Sequence, residues 1–184
     1  MKKRYILGIF FLLLLISFVI DKEIILFLNL LRTGITHNFF ILVGFLSEWY
    51  FLLIIFSLLF LLKKKELLFP FWISFFVTGL IAALSKYIIQ RPRPFEVLNL
   101  GVTHTFSSWN SSFPSWHAAS IFLILPFLYL SFPKFKWLWI FLGSIIAFSR
   151  IYIGVHYLSD VFGGIILGLG ISFSIIFLKK KLKW

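Results

Sequence analysis

The chain has 184 residues, of which 61% are hydrophobic, 21% aromatic and only 13% charged, and its mean hydropathy is +1.03. This composition excludes a soluble globular domain and indicates a polytopic membrane protein. The formal net charge is +12, but most Lys residues flank apolar segments, so the charge indicates membrane topology and not nucleic-acid binding. Because the chain has no cysteine and only six scattered acidic residues, thiolate sites are excluded and a chemistry without metal or cofactor is predicted.

The N-terminal part is predicted to contain two membrane-spanning helices and one helix that lies along the membrane surface. The first span is the apolar run at residues 5–20, and because no small-residue cleavage pattern follows it, we interpret it as a retained helix. Segment 21–37 combines apolar and charged positions and is predicted to be an interfacial amphipathic helix. The second span covers about residues 39–62 and ends at the basic run 63–65.

Four further spans are predicted in the rest of the chain. They cover about residues 67–89, 115–131, 135–151 and 156–178. The third span ends at the turn Arg91-Pro92-Arg93-Pro94, because proline cannot continue a helix. Residues 95–113 form the only long polar loop in this prediction, and a loop of this length in a compact bundle is usually functional or disordered.

The distribution of basic residues predicts the orientation in the membrane. With six spans and a cytoplasmic N-terminus, most Lys and Arg residues lie on the cytoplasmic side, as the positive-inside rule requires. These cytoplasmic residues are Lys2, Lys3, Arg4, Lys63, Lys64, Lys65, Lys134, Lys136, Lys179, Lys180, Lys181 and Lys183. We therefore predict an all-α bundle of six transmembrane helices in the cell membrane, with both termini cytoplasmic.

Residues 1–184 are predicted to form a single membrane domain with two parts. The first two spans are filled with Leu, Phe and Ile, whereas the last four carry many Gly, Ala and Ser residues, including Gly164 and Gly168. Small residues permit close approach of helices in a membrane. We therefore expect residues 67–184 to form a catalytic four-helix core, with residues 1–66 outside it.

Ionisable residues lie near the outer ends of the last four predicted spans. Such groups are costly at membrane depth and indicate a functional site by default. His156 and Asp160 are four residues apart, so on a helix the carboxylate can hold one imidazole nitrogen. Gly154 predicts a break between a helix that ends near Arg150 and a helix that begins at His156.

The cations at this face outnumber the nearby acidic residues. Four cations have only two carboxylates near them in sequence, and this excess predicts an anionic ligand such as phosphate. The cations are Lys86, Arg91, Arg93 and Arg150, and the carboxylates are Glu96 and Asp160. Each cation alone is also consistent with a snorkelling side chain or a headgroup anchor. That alternative does not account for His117 and His156 at the same face.

Three motifs within the last four predicted spans resemble those of a known family. They are Lys86 followed after six residues by Arg93-Pro94, the run Pro114-Ser115-Trp116-His117, and Ser149-Arg150 followed by His156 and Asp160. Their order and spacing resemble the signature motifs of the type 2 phosphatidic acid phosphatase family of membrane lipid phosphatases. The chain departs from the family at Trp116, where Gly is common, and the indole would crowd the site or line the path of the lipid.

The resemblance implies roles for these residues in a mechanism without metal or cofactor. The implied catalytic set is His156, Asp160 and His117. His156 would attack phosphorus and form a phosphohistidine, Asp160 would fix its tautomer, and His117 would act as the general acid. The implied phosphate ligands are Lys86, Arg93, Arg150, the Ser115 hydroxyl and the backbone N–H of Trp116 at a helix start.

The function implied by the resemblance is hydrolysis of a phosphomonoester or diphosphate of a membrane lipid at the extracytoplasmic face. An isoprenoid carrier diphosphate is the favoured substrate. Phosphatidylglycerol phosphate, phosphatidic acid and lipid A phosphates stay open, as does phosphotransfer to a lipid acceptor instead of water. The expected partners are the phosphorylated lipid and the bilayer, and no nucleic acid is expected.

Two alternatives without catalysis are less consistent with the sequence. A small anion or lipid transporter would be supported by inverted repeats, but all of the chemistry lies in the second half of the chain. A lipid-binding scaffold explains the basic residues and leaves the two histidines unexplained.

Four polar residues receive no role from the motifs. His37 and His104 are expected to be exposed, because neither has a partner at a mechanistic spacing. Glu48 and Arg91 lie close enough to the predicted site to tune it or to hold a headgroup, but no signature position includes them.

Overall fold

The computed structural model describes residues 2–101 and 111–182 of the chain. Every regular element within these residues is helical, which confirms the predicted all-α class. The helices are α1 (Lys2–Leu30), α2 (Gly34–Leu46), α3 (Trp49–Lys63), α4 (Leu68–Ile89), α5 (Pro94–Val97), α6 (Trp116–Ser131), α7 (Lys136–Tyr152) and α8 (Leu158–Leu182), with 3-10 turns at Lys65–Leu67 and Pro133–Phe135. His104 and most of the predicted polar loop lie outside the described residues.

Three helical segments are long and apolar enough to cross a membrane: Lys65–Val97, Pro133–Tyr152 and Leu158–Leu182. Helices α2 and α3 meet the same criterion together, although a sharp bend separates them, and α6 is apolar but shorter. Between residues 2 and 182, apart from the gap at 102–110, the chain therefore has three such segments, or four if the bent pair is one span. This supports a multi-pass membrane protein, while the count of six spans and the cytoplasmic termini stay predictions.

Helix α1 is continuous where the sequence predicted a span followed by a separate interfacial helix. It runs unbroken from Lys2 to Leu30, so the predicted boundary after Ile20 is wrong. The physical reason is that Asp21 does not mark a water-exposed end. Its side chain is buried, with the residue only 4% exposed, and it is hydrogen-bonded to Arg91 and Ser159, so the helix continues through a carboxylate that has partners.

The predicted second span is two helices that meet at an angle of 54°. Helix α2 ends at Leu46, and the Ser47 hydroxyl donates to the Gly44 carbonyl at 3.0 Å, which satisfies a carbonyl at the helix end. Glu48 then adopts an extended conformation (φ −60°, ψ 144°) before α3 begins. The bend therefore turns Glu48 out of both helices. His37, near the start of α2, is half-buried and not exposed as expected.

Among the described residues, helices α6 and α8 form the most extensive helix pair. Their close approach requires Gly168, because an added Cβ would collide with the carbonyl oxygen of Ala119, and Gly164 is equally confined against α6. One turn further, the Ser172 hydroxyl donates to the Leu123 carbonyl at 2.7 Å. The small-residue pair thus packs within the chain. Helices α1 and α4 also pack against α8, and the division into a core and a peripheral part stays a prediction.

Candidate active site

One end of the bundle carries a pocket of about 460 Å³ that contains six of the predicted site residues. Its polar walls come from the last turn of α4, the start of α5, the first turn of α6, the last turn of α7 and the segment between α7 and α8. The bend between α2 and α3 adds a further wall. The lining residues are Glu48, Trp49, Gly79, Ala82, Ala83, Lys86, Arg93, Trp116, His117, Arg150 and His156. The structure therefore brings both histidines and three cations together, while their roles stay predictions.

The His156 imidazole lies between a guanidinium and a carboxylate. Its Nε2 lies 3.4 Å from Nη1 of Arg93, and its Nδ1 lies 3.6 Å from Oδ2 of Asp160. Because a guanidinium only donates hydrogen bonds, Nε2 is the unprotonated nitrogen, and the proton lies on Nδ1 facing Asp160. Burial, and after it the positive charges of Arg93 and Lys86, lower the pKa of His156 well below its usual value. An unprotonated imidazole nitrogen therefore lies beside Arg93 at the pocket, as the predicted role of His156 requires.

The turn between α7 and α8 fixes the position of His156 relative to Arg150. Helix α7 ends at Tyr152, and Gly154 has a φ of +78°, a left-handed conformation that glycine adopts most readily. The backbone N–H groups of Val155 and His156 both donate to the Arg150 carbonyl, at 3.2 and 3.1 Å. The predicted break at Gly154 is confirmed, but the next helix begins at Leu158 and not at His156 as predicted. The histidine therefore lies in the turn, directly beside the last turn of α7.

The second histidine, His117, lies in the first turn of α6 and is 9% exposed. Its Nε2 is 3.5 Å from Oε1 of Glu48, which the bend between α2 and α3 turns toward the pocket. The Arg150 guanidinium fills the space beside Gly44, where an added Cβ would collide with it. Arg150 is 4% exposed, and its Nε has no hydrogen-bond partner among the described residues. A buried guanidinium whose nitrogen has no hydrogen-bond partner favours the binding of an anionic ligand.

The sequence of residues 66–184, more than half of the chain, matches the family model of the PAP2 superfamily. The chain belongs to the PAP2 superfamily. An undecaprenyl-diphosphatase of Sulfolobus acidocaldarius is 35% identical over 102 residues, which is 55% of this chain and 50% of the relative. The bacitracin transport permease protein BcrC of Bacillus licheniformis is 32% identical over 135 residues, which is 69% of this chain and 65% of the relative. The matches thus span about half to two thirds of these relatives.

A solved structure shows the same fold over nearly the whole chain. It is the transmembrane PAP2-type phosphatidylglycerolphosphate phosphatase of Bacillus subtilis, which superposes with a TM-score of 0.76 at 24% identity and covers 98% of both chains. At this identity the likeness concerns the fold alone. Together with the family match, it confirms the resemblance drawn from the motifs.

Two residues of the second PAP2 motif differ in their relation to the pocket. Trp116 lines it, with an indole that packs against Gly79 and, edge to face, against Phe75 at 5.4 Å between ring centroids. Ser115 is fully buried outside the pocket lining, and its backbone N–H donates to the Asp160 carbonyl at 2.9 Å. The Ser115 hydroxyl has no hydrogen-bond partner among the described residues, and its role as a phosphate ligand stays a prediction.

The sequence left three residues without a role that contact residues within the PAP2 motifs: Asp21, Glu48 and Arg91. Glu48 faces His117, and Arg91 is ion-paired with both Asp21 and Asp160. The expectation that Arg91 belongs to a group of cations without enough anions is therefore wrong, since two carboxylates hold it. One feature of the sequence could have indicated the pairing of Asp21. It is a carboxylate next to a long apolar run, and an ionisable group at membrane depth is costly unless it has a partner.

Proposed function

We propose that this chain is an integral membrane phosphatase that hydrolyses a phosphate ester or diphosphate of a membrane lipid. The observation that carries the proposal is the pocket in which a neutral His156 faces three cations and a second histidine. Phosphoryl transfer requires a nucleophile, positive charge around the phosphoryl oxygens and an acid for the leaving group. The pocket supplies all three.

The first step is attack of His156 Nε2 on phosphorus. The new P–N bond forms as the P–O bond to the lipid or to its second phosphate breaks, and His117 gives a proton to the leaving oxygen. The carboxylate of Asp160, with Oδ2 3.6 Å from Nδ1, stabilises the positive charge that develops on the imidazole. Lys86, Arg93 and Arg150 bind the phosphoryl oxygens and stabilise their charge in the transition state.

The second step is hydrolysis of the phosphohistidine. His117, now neutral, takes a proton from water while the water oxygen attacks phosphorus and the P–N bond breaks. Inorganic phosphate leaves, and His156 returns to its neutral form. Glu48, 3.5 Å from His117, stabilises the imidazolium form in which His117 can act as an acid.

The favoured substrate is an isoprenoid carrier diphosphate, with the pocket at the extracytoplasmic face of the cell membrane. Support comes from the name of the archaeal relative, undecaprenyl-diphosphatase. The pocket also suits a lipid headgroup, because it lies at one end of the helical bundle and Trp116 and Trp49 line it beside the cations. Aromatic side chains of this kind are enriched where the apolar core of a membrane meets its polar surface.

A phosphate-release assay on purified protein tests the proposal. The panel contains an isoprenoid diphosphate, phosphatidylglycerol phosphate, phosphatidic acid and a lipid A phosphate in detergent micelles, each with and without labelled acceptor lipid. We expect release from at least one lipid, loss of release in His156→Ala, and wild-type release in the control His37→Ala, which lies outside the pocket. EDTA should leave the rate unchanged, since the positive charge comes from Lys86, Arg93 and Arg150. Full activity of His156→Ala, or dependence on a metal, would contradict the mechanism.

A further inference from the structure

The Arg91 guanidinium bridges helix α1 and the start of helix α8. Its Nη1 donates to Oδ1 of Asp160 at 2.6 Å and to the Ser159 hydroxyl at 2.6 Å, and its Nη2 donates to Oδ2 of Asp21 at 2.8 Å. The guanidinium also lies 4.1 Å from the centroid of the Tyr157 ring. Two carboxylates and an aromatic ring thus fix its position, and this cation does not line the pocket.

Asp21 is the member of this group that comes from α1. It is 4% exposed, and its Oδ1 accepts a hydrogen bond from the backbone N–H of Ser159 at 2.9 Å. Its Oδ2 accepts from the Ser159 hydroxyl as well as from Arg91. The carboxylate of α1 therefore holds both the first turn of α8 and the cation that contacts Asp160.

The two oxygens of Asp160 have different partners. Oδ1 accepts from Arg91 at 2.6 Å, whereas Oδ2 accepts from the backbone N–H of Tyr157 at 2.8 Å and faces Nδ1 of His156 at 3.6 Å. Arg91 meets only one oxygen because its second nitrogen is engaged by Asp21. Without Asp21, both nitrogens would be available to Asp160, and a bidentate pair would engage the oxygen that faces the histidine.

We propose that Asp21 and Arg91 are positioning residues for the reaction at His156. Asp21 holds Arg91 to a single oxygen of Asp160, and so leaves the other oxygen for the imidazole. This inference rests on the proposed function, and it extends the machinery to a helix outside residues 66–184, which the PAP2 model matches.

Asp21→Asn is the first test variant, because an amide keeps the size of the side chain and can still accept from Ser159. We expect kcat to fall about tenfold, since small displacements of reacting groups cost rates of this order, with KM within about twofold. The matched control is Glu23→Gln, an exposed carboxylate of the same helix, which should retain wild-type kcat. Arg91→Lys is the second test variant and suffices if Asp21→Asn does not fold. Its single ammonium lacks the two separate nitrogens with which Arg91 reaches Asp160 and Asp21, so we expect the same kcat loss.

The Asp160→Asn background separates positioning from a general loss of stability. If Asp21 acts through Asp160, adding Asp21→Asn to Asp160→Asn should lower kcat no further, because coupled residues are not additive. A second full decrease of kcat in that background would overturn the proposal, as would wild-type kcat in both Asp21→Asn and Arg91→Lys.

A labelling experiment decides the same question without turnover. Diethyl pyrocarbonate acylates neutral imidazole nitrogens, and mass spectrometry gives the rate at each histidine of the intact protein in micelles. We expect slower labelling of His156 in Asp21→Asn and Asp160→Asn, with His117 unchanged, and wild-type labelling in Glu23→Gln. Equal labelling of His156 in all four proteins would overturn the positioning role. If these differences in labelling are observed but the wild type releases no phosphate, the result contradicts the proposed function and leaves the positioning role intact.

Discussion

Oε1 of Glu48 lies 3.5 Å from Nε2 of His117, in a pocket whose other charged residues are cations. A carboxylate opposes the binding of a phosphate group, so its presence there calls for a compensating role. The contact supplies one, because a negative charge favours the protonated form of the neighbouring imidazole. Glu48 is thus placed to support the acid of the proposed reaction and not to bind the substrate.

Glu48→Gln should lower kcat for phosphate release by about tenfold, a part of the 10²- to 10⁴-fold that a general acid contributes. The amide keeps the size of the side chain but removes the charge that stabilises the imidazolium of His117. The measurement is steady-state release from the best substrate of the panel. The matched control is Glu66→Gln, since Glu66 is exposed and forms an ion pair with Lys64 at 3.9 Å. Equal kcat in wild type and Glu48→Gln would exclude this role.

In the pH profile of kcat/KM, the midpoint of the acid limb should lie below the usual pKa of histidine, 6.5. Burial first, and then Arg93 and Lys86, lower the pKa of His156, so its neutral form persists below pH 6.5 and is lost only as the pH falls through the lowered value. The groups that face it are Arg93, Lys86, Arg150, His117 and Asp160.

The variant Lys86→Gln checks the cause of that shift. Removing one cation should raise the pKa of His156 and move the acid limb of kcat/KM to higher pH, whatever the fall in absolute rate. Comparing the two proteins on one substrate cancels the ionisation of the substrate itself. A limb that does not move would show that Lys86 does not act on His156.

Gly168→Ala should destabilise the bundle by about 1–3 kcal/mol, the usual cost of overpacking. The added Cβ would collide with the Ala119 carbonyl and lie 2.9 Å from the backbone nitrogen of Leu123. The matched control is Gly170→Ala on the same helix, where a Cβ meets nothing within 4 Å. Thermal unfolding in detergent should give a lower Tm for the first variant only. Equal Tm values would mean that α6 and α8 can separate without cost.

Single cysteines should show which side of the membrane the pocket faces. The chain has no cysteine, so Val97→Cys and Lys64→Cys each introduce one thiol. Both positions are exposed, and they lie beyond opposite ends of the 22-residue helix α4, roughly 30 Å apart at 1.5 Å per residue. An impermeant maleimide added to intact cells should label Val97→Cys but not Lys64→Cys. The opposite labelling pattern would mean that the pocket faces the cytoplasmic side of the membrane.

Motif spacing predicted which cations and histidines meet, because each motif lies at the end of a helix and the chain reverses at each turn. Lys86, Arg93, His117, Arg150 and His156 line one pocket although 70 residues separate the first from the last. The break at Gly154 was also predictable, since only glycine adopts its backbone conformation readily.

The acidic partners could not be predicted in the same way. Asp21 and Glu48 are single carboxylates in the first part of the chain, and neither stands at a motif spacing from the residue it contacts. Asp21 directly follows the predicted first span at residues 5–20, and a sequence does not show whether a charge at such a position is solvated or paired. The apolar run at residues 39–62 likewise concealed the bend, which depends on how Ser47 and Gly44 end α2.

The pairing of Asp21 with Arg91 has a consequence for recombination between relatives. A chimera that exchanged residues 1–65 for those of another family member would keep every signature motif intact. It would nevertheless replace the carboxylates that face Arg91 and His117. Grafts of this kind should therefore stay active only where the donor segment supplies acidic groups that match Arg91 and His117 of the recipient.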